Sequence, residues 1–306
     1  MANDHSDCVH ARRDLTSEDK RYAEAHLNET DETRESAIAE MRHWLEEYDN
    51  SLAQIDDFFI LRFLRVCKFN LEKTKIRMQN YYQQKSRLPE WYMNKDPCRP
   101  ELQELLDMGV FLPLRKPDGQ GRLVIVVCSA RHDPKKHELA DIFTIGIMAV
   151  ELAMRYYPAA SLYGCSVFIN MADLTMGHIL QLRPQLIMNL VHTWQSCYPI
   201  RMQSITMFNV AEYINAIVRI FRSFMTEKMK NRFHIYSHST TQNFFEDIPA
   251  NILPVEYGGT DGTVQELAEY WKKLIMENRD WLMDDENDNI ILKHTEETDI
   301  VDSTNL

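Results

Sequence analysis

The sequence predicts an α/β protein in which an all-helical N-terminal module precedes a domain built on a mainly parallel β-sheet. Two observations predict this fold class. Apolar residues recur at helical spacing throughout the first third of the 306-residue chain. From about residue 110, short runs rich in β-branched and aromatic residues alternate with longer helical patterns, which is typical of β-α-β units.

The helical third contains four amphipathic stretches. TSEDKRYAEAHLNE opens with Thr16 and Asp19 at the spacing of a capping box, and ESAIAEMRHWLEEY follows with apolar residues at helical spacing. DDFFILRFLRVCKFN continues the pattern. LEKTKIRMQNYYQQKSRL is helical until Pro89, and NKDPCRPE then has the composition of a linker.

The second part of the chain contains four predicted strands: LVIVVCS (123–129), CSVFINM (165–171), SITMFNV (204–210) and RFHIYS (232–237). Helical patterns at roughly 138–157, 178–196 and 211–225 separate these strands. A hairpin that turns at residues 117–121 leads into the first long strand. We therefore expect connections in which helices cover a parallel sheet.

The charge of the chain is divided unevenly. The formal net charge is −12, but residues 1–57 and 284–306 hold most of the acids, which leaves residues 58–283 with 22 acidic and 27 basic side chains. A mildly basic body suits an anionic surface such as phospholipid head groups. We divide the chain into a disordered N-terminus (1–13), a helical domain (14–95), an α/β domain (96–283) and an acidic, disordered tail (284–306).

Targeting signals and cysteine pairs are missing from the sequence. MANDHSDCVHARRD has no apolar segment typical of a secretory signal, and the run IFTIGIMAVELAM is too short to span a bilayer. The six cysteines form no C-x-x-C pair, which fits reduced thiols better than disulfides or a zinc site. We expect a cytoplasmic protein that associates with membranes transiently.

Motifs for catalysis or cofactor binding are also missing. No G-x-S-x-G, G-x-G-x-x-G or P-loop sequence follows a predicted strand, and the histidines do not have the spacing of metal ligands. His192 and Cys197 are five residues apart, but a packed core or pocket wall explains them better than a nucleophile pair. We expect no enzymatic activity, no cofactor, no metal and no nucleic-acid partner.

The stretch YINAIVRIFRSFMTEKMKNRF combines an apolar helix face with a basic cluster. The face begins with Ile214, Ile217, Val218 and Phe221. Exposure of these four side chains to water would cost about 6–12 kcal/mol, whereas their transfer into lipid would cost little. Nearby cations would add about 1 kcal/mol each at an anionic membrane. The pattern indicates either a membrane-triggered lid or a surface helix beside a solvated charge run. The apolar residues of this predicted gate helix are Ile214, Ile217, Val218, Phe221 and Met225.

Three segments in this order resemble the CRAL-TRIO lipid-transfer family, in particular its alpha-tocopherol transfer protein and retinaldehyde-binding protein branch. They are FILRFLRVCKFNLEKTKIRMQNYY, FMTEKMKNRFHIY and NILPVEYGG, within a match that runs from about residue 50 to 283. The resemblance implies a sheet that floors a closed hydrophobic pocket and a mobile gate helix at about 211–225. It places Thr193 or Tyr198 as hydrogen-bonding groups for a polar end of the ligand. The implied pocket residues are Phe143, Gly146, Val150, Cys165, Ile169, Met176, Leu190, Thr193, Trp194, Tyr198, Ile200 and Ile205.

The resemblance also implies a phosphoinositide site near the gate. Arg201, Lys228 and Arg232 match its basic pattern, and such side chains form charge-assisted bonds to phosphate. Two positions depart from the pattern, because Cys67 replaces a basic residue and Gln203 replaces an arginine. These departures imply a weaker site, the use of Lys68, or a different lipid.

Two functions follow from the resemblance. The first is binding and transfer of a hydrophobic small molecule, tocopherol-like or retinoid/carotenoid-like, with the gate opening at phosphoinositide-containing membranes. The alternative is exchange or sensing of phospholipids or phosphoinositides. The nature of the bound molecule separates them, because a two-chain lipid would favour the second.

Overall fold

The structure is a computed structural model that describes residues 15–49, 52, 55–239, 245 and 247–287, with only the backbone of 284–287. The N-terminal part is helical, as predicted. The predicted capping box opens the first helix: Thr16 Oγ1 accepts from the Asp19 amide, and the Asp19 carboxylate accepts from the Thr16 amide. The helices of this part are α1 (Ser17–Leu27), α2 (Asp31–Tyr48), α3 (Asp57–Val66), α4 (Leu71–Arg87) and α5 (Pro89–Tyr92).

The predicted sheet is present and mainly parallel. Its strands lie in sequence order, with the first antiparallel to the second and the others parallel. The antiparallel pair is the predicted hairpin, in which Gly121 has a positive φ of 75° and donates its amide to the Asp118 carbonyl. The strands are β1 (Phe111–Pro113), β2 (Leu123–Cys128), β3 (Cys165–Asn170), β4 (Met202–Val210) and β5 (Phe233–Ser237).

Helical connections join the parallel strands. A short helix, α6 (Pro100–Met108), precedes β1, and α7 (Leu139–Tyr156) and α8 (Ala160–Tyr163) join β2 to β3. The pair α9 (Met176–Gln181) and α10 (Pro184–His192), followed by a π-helical turn at Thr193–Cys197, joins β3 to β4. A 3-10 turn at Glu212–Ile214, α11 (Asn215–Ser223) and α12 (Glu227–Lys230) join β4 to β5.

The single helix predicted over 178–196 is wrong. Pro184 divides it, because proline has no amide hydrogen for the helix ladder and forces the preceding Arg183 to an extended ψ of 147°. The predicted helix over 211–225 likewise begins with a 3-10 turn before α11.

The NILPVEYGG segment folds into two 3-10 turns beside the sheet. Gly258 has a φ of 81°, and a Cβ atom at Gly259 would lie 1.9 Å from the Leu253 carbonyl oxygen. Glycine is therefore required at both positions. Tyr257 of this segment packs on Phe245, with ring centroids 5.2 Å apart, on the sheet face that carries Phe168.

Two C-terminal helices, α13 (Val264–Glu277) and α14 (Arg279–Asn287), complete the described chain. Helix α14 continues four residues into the segment predicted as a disordered tail, so the boundary at 284 is corrected. The helix is anchored just before this point, because Leu282 is buried and Trp281 lies under the Arg155 guanidinium at 4.6 Å. The rest of that tail and the predicted disordered N-terminus lie outside the described residues.

Buried ion pairs attach the helical module to the α/β domain. Arg62 of α3 donates two hydrogen bonds, of 2.6 and 3.1 Å, to the Glu151 carboxylate of α7. Arg65 is paired with Glu29 and also donates to Ser161 Oγ of α8 at 2.6 Å. Both arginines therefore have a structural role, whereas Lys68, a few residues further along the chain, is exposed.

Candidate functional site: an apolar cavity and a basic patch

An elongated cavity of about 230 Å³ lies between one face of the sheet and helices α7, α10 and α11. Its floor is formed by alternate residues of the strands, since successive side chains of a strand point to opposite faces. Along β3 and the residue that follows it, the floor extends from Cys165 to Met171, a length of about 20 Å at 3.3 Å per residue. The other floor residues are Ile125, Val127, Ser129, Val167, Ile169, Met202, Ile205 and Met207.

The wall of the cavity is almost entirely apolar. Among the described residues that line it there is no Asp, Glu, Lys or Arg. Burial also raises the pKa of the Cys165 thiol to about 12, so that this sulfur remains protonated and a poor nucleophile. A wall of this kind holds a molecule by excluding its apolar surface from water.

The structure places all but one of the predicted pocket residues on the wall. The exception is Met176, which is the first residue of α9 and is 61% exposed on the outer surface. Met176 is therefore not a pocket residue, contrary to the prediction. The residues on the wall are Phe143, Gly146, Val150, Cys165, Ile169, Leu190, Thr193, Trp194, Tyr198, Ile200 and Ile205.

The two hydroxyl groups expected to bind a polar end of the ligand are already engaged within the protein. Thr193 Oγ1 accepts from Gln84 Nε2 at 2.9 Å and donates to the Asn189 carbonyl at 2.9 Å. The Tyr198 hydroxyl donates to the Glu151 carboxylate. Burial, together with that carboxylate, raises the pKa of Tyr198 well above its usual value, so this hydroxyl stays neutral. Thr193 thereby joins α4 of the helical module to the cavity wall, whereas Tyr198 bonds to α7 of the α/β domain, at the carboxylate that Arg62 also contacts.

Sequence reasoning missed several wall residues. Trp91 and Tyr92 come from α5 of the helical module, and Ser129, His132 and His178 lie at the carboxyl ends of the parallel strands. Ser129 continues the alternation of Ile125 and Val127 along β2, so this pattern could have predicted that Ser129 faces the cavity. The two histidines lie in a loop and a short helix, where no periodic pattern marks a residue as facing a cavity.

Helix α11 covers the cavity with the face predicted from its sequence. Ile214, Val218, Phe221 and Met225 are buried, and Ile217 is half-buried. Phe221 reaches the cavity wall and stacks on Trp194, with ring centroids 6.1 Å apart. The apolar face is thus turned inward.

Few polar contacts attach this helix to its neighbours. Tyr213 Oη donates to the Leu174 carbonyl at 2.6 Å near the start of the helix. Near its end, Gln195 Nε2 donates to the Phe224 carbonyl at 3.2 Å, and Gln195 Oε1 accepts from the Thr226 amide at 3.1 Å. Among the residues that the structure describes, the other contacts of α11 with its neighbours bury apolar side chains.

A basic patch lies beyond the C-terminal end of α11, and we define it as Lys68, Arg77, Arg201, Lys228 and Arg232. Partial burial lowers the pKa of Lys228, and the other four cations lower it further. Burial and Arg201 also lower the pKa of Arg232. Lys228 and Arg232 are therefore repelled by the neighbouring cations of the patch, and a bound anion would reduce this repulsion.

Backbone carbonyls hold part of the basic patch in place. Arg201 donates to the Leu162 carbonyl at 2.8 Å, and Arg232 donates to that of Met202. Gln203 lies beside them and donates to the Tyr163 carbonyl at 2.8 Å, while Cys67 is close enough to Lys228 for the two to interact electrostatically. Gln203 and Cys67 thus adjoin the patch without adding charge. Lys230, in contrast, is paired with Glu227 at 2.6 Å.

The fold and its apolar cavity agree with the result of a comparison with protein families. The CRAL/TRIO domain model matches residues 107–259, and the chain belongs to this family. A second model, described as a Pinta-like UBA domain, matches residues 30–102 in the helical module.

Among similar proteins, human Clavesin-2 is 27% identical over 253 residues, which cover 82% of this chain and 76% of that protein. Human alpha-tocopherol transfer protein-like is 24% identical over 267 residues, covering 87% and 76%. A crystal structure of Sfh5 aligns with a TM-score of 0.44 at 12% identity, covering 81% of this chain and 99% of that one.

Proposed function

We propose that this protein carries a hydrophobic small molecule, tocopherol-like or retinoid/carotenoid-like, in its cavity and exchanges it at anionic membranes. The observation that carries the proposal is the elongated cavity without charged residues. A floor of about 20 Å matches a long, single-chain molecule. The name of one relative, alpha-tocopherol transfer protein-like, supports the same class of ligand.

The alternative, exchange of a phospholipid, is less well supported. A phosphate head group inside the cavity would need a cation to offset its desolvation. The described cavity wall provides none, and the cations of the basic patch lie outside it. We therefore assign phosphoinositide contact to this outer patch, with Gln203 at its edge.

The gate proposal rests on the position of α11. This helix buries an apolar face over the cavity and is followed directly by Lys228 and Arg232 of the basic patch. Large apolar side chains are exposed at the other end of α11, on α9 and in the turn that precedes α11: Met176 (61%), Leu180 (72%) and Tyr213 (54%). We propose that these side chains enter the membrane while the basic patch binds phosphoinositide, and that α11 then opens.

No helix among the described residues is long and apolar enough to cross a bilayer. The proposed membrane contact is therefore peripheral. We keep the division of the chain near residue 95 as part of the proposal, because α6, which begins at Pro100, packs on α7 and α13 rather than on α1 to α4.

A vesicle-transfer assay tests this proposal. The full chain, loaded with α-tocopherol or all-trans-retinol, is mixed with acceptor vesicles with and without a phosphoinositide. We expect the phosphoinositide to accelerate transfer, and Lys228→Ala with Arg232→Ala to remove most of that acceleration while ligand affinity stays unchanged. The matched control, Lys272→Ala with Lys273→Ala on α13, should transfer normally. Normal phosphoinositide-dependent transfer by the patch variant would contradict the proposal.

A further inference from the structure

Arg77 of α4 belongs to the basic patch and also bonds to the π-helical turn at Thr193–Cys197. Its Nη1 donates to the Gln195 carbonyl at 3.0 Å, and its Nη2 and Nε donate to the Tyr198 carbonyl at 3.0 and 3.2 Å. These carbonyls lie at the end of the helical segment that begins with α10, where intrahelical amide donors run out. The guanidinium therefore stabilises the end of this segment.

The same turn holds the C-terminal end of the gate. Gln195 Nε2 donates to the Phe224 carbonyl at 3.2 Å, and Gln195 Oε1 accepts from the Thr226 amide at 3.1 Å. The adjacent Trp194 stacks on Phe221 of α11, with ring centroids 6.1 Å apart. The backbone of Gln195 is thus bound on the side of the basic patch, and its side chain is bound on the side of the gate. Helical turns of the π type often occur at functional sites.

The guanidinium of Arg77 has no carboxylate partner among the described residues. Burial lowers the pKa of Arg77, and the groups that raise this pKa are the thiols of Cys67 and Cys197. The side chain is half-buried, and its bonds to the turn use three of the five N–H groups of a guanidinium. Arg77 can therefore bind an anion with the N–H groups that remain.

An anion bound at the basic patch would compete with the turn for Arg77. A phosphate carries a full negative charge, whereas a backbone carbonyl is neutral, so the phosphate attracts a guanidinium more strongly. Arg77 is close enough to Lys228 to lower its pKa, which places the two cations side by side. Asn80 and Gln84 of α4 also bond to the same helical segment, but they carry no charge and do not respond to an anion in this way.

We propose that Arg77 couples the basic patch to the gate: a phosphate bound at the patch draws the guanidinium away from the Gln195 carbonyl, which frees the turn and loosens the end of α11. This inference rests on the proposed function and names the residue through which phosphoinositide contact would open the gate. Arg77 is a positioning residue, since it acts on α11 through Gln195. An anion opens the gate only if it binds the open state more tightly than the closed state, and the release of Arg77 from the turn provides this difference.

Hydrogen exchange at the Thr226 amide tests the inference, because this amide bonds to Gln195 Oε1. The delipidated full chain is labelled with and without inositol 1,4,5-trisphosphate, and calorimetric titration measures the binding of this head group. We expect the bound head group to accelerate exchange at Thr226 about fivefold or more in the wild type. Binding without acceleration would overturn the inference and leave the proposed function intact. Failure of the head group to bind would contradict the phosphoinositide contact of the proposed function as well.

Variants of Arg77 separate the coupling from simple anion binding. Arg77→Leu removes the bonds to the turn, so exchange at Thr226 should be about fivefold faster without the head group, and the head group should not increase it further. Arg77→Lys keeps the charge but loses the planar fork, so it should show the same fast exchange and still bind the head group. The matched control Arg87→Leu, at an exposed arginine of the same helix, should behave like the wild type. If both Arg77 variants exchange at the wild-type rate, Arg77 does not hold the gate and the coupling is excluded.

A double variant tests whether the coupling passes through Gln195. Gln195→Ala removes the acceptor of the Thr226 amide and should itself accelerate exchange there. Because both changes break the same connection, Arg77→Leu combined with Gln195→Ala should exchange no faster than Gln195→Ala alone. Additive effects of the two substitutions would overturn the assignment of Gln195 as the link.

Discussion

Arg62 and Glu151 form a buried ion pair on which the cavity wall depends. Their side chains are 5% and 13% exposed. The same carboxylate accepts the hydroxyl of Tyr198, a wall residue, and thereby connects α3 and α7 to the turn that precedes β4. Removal of one partner of such a pair leaves an uncompensated buried charge.

We predict that Arg62→Met lowers the free energy of unfolding by about 3–5 kcal/mol. The double variant Arg62→Met with Glu151→Leu should lose less than the single variant, because no unpaired charge remains. Urea denaturation measures both. The surface pair of Lys272 with Asp107 is the control, and Lys272→Ala should cost less than about 1 kcal/mol. A single variant as stable as the wild type would exclude the structural role assigned to Arg62.

Buried histidines predict how stability depends on pH. Burial lowers the pKa of His132, and burial with Arg87 and Arg77 lowers that of His192, so both bind protons more weakly in the native state than when unfolded. The unfolded state therefore binds more protons just below pH 6.5, and stability must fall as the pH decreases through that range. His132→Asn should reduce the decrease in melting temperature between pH 7.5 and 5.5. An unchanged decrease would show that His132 does not contribute.

Among the secondary-structure elements, α11 is short and has few polar attachments, as expected of a helix that can move away from the cavity. It is nine residues long, and beyond its apolar face it is attached through Tyr213 at one end and Gln195 at the other. Opening it in water would expose Val218 and Phe221, while opening it against lipid would not. We therefore propose that the surroundings determine whether the helix opens.

We predict that Gln195→Ala accelerates ligand release in the absence of membranes by about fivefold or more, because two hydrogen bonds to the end of the gate are lost. Stopped-flow transfer to a fluorescent acceptor measures the rate. Ser223→Ala is the matched control, since Ser223 Oγ bonds only to the Ile220 carbonyl within the same helix. If both variants release ligand at the wild-type rate, Gln195 does not hold the gate.

The sequence predicted the elements whose periodicity reflects burial and missed those decided by single residues. The runs of β2 and β3 are buried on both faces, so apolar residues occupy successive positions, throughout β2 and from Val167 to Ile169 in β3. The break between α9 and α10 depends on Pro184 alone, and the period of the surrounding residues does not change there. Helix α13 begins with a complete capping box from Thr263 to Glu266, a start signal that can be read from the sequence.

At the scale of the whole molecule, the cavity and the basic patch are assembled from distant parts of the chain. The resemblance placed eleven of the wall residues, fewer than half of those described. It also placed Met176 in the pocket, although this residue is exposed, because whether the first residue of a short helix faces inward depends on how that helix packs. The contact between His132 Nε2 and Gln181 Oε1 could not be predicted, since the two residues are 49 positions apart in the sequence. Such a relation exists only in the folded protein.

Native mass spectrometry of the full chain with α-tocopherol or all-trans-retinol tests the central claim, that the cavity holds one hydrophobic molecule. The wild type should bind one molecule per chain. Ile169→Trp fills the middle of the cavity floor and should abolish binding of either molecule, while the control His234→Trp, at an exposed position of β5, should bind normally. Retention of one molecule with unchanged affinity in a folded Ile169→Trp variant would contradict the account.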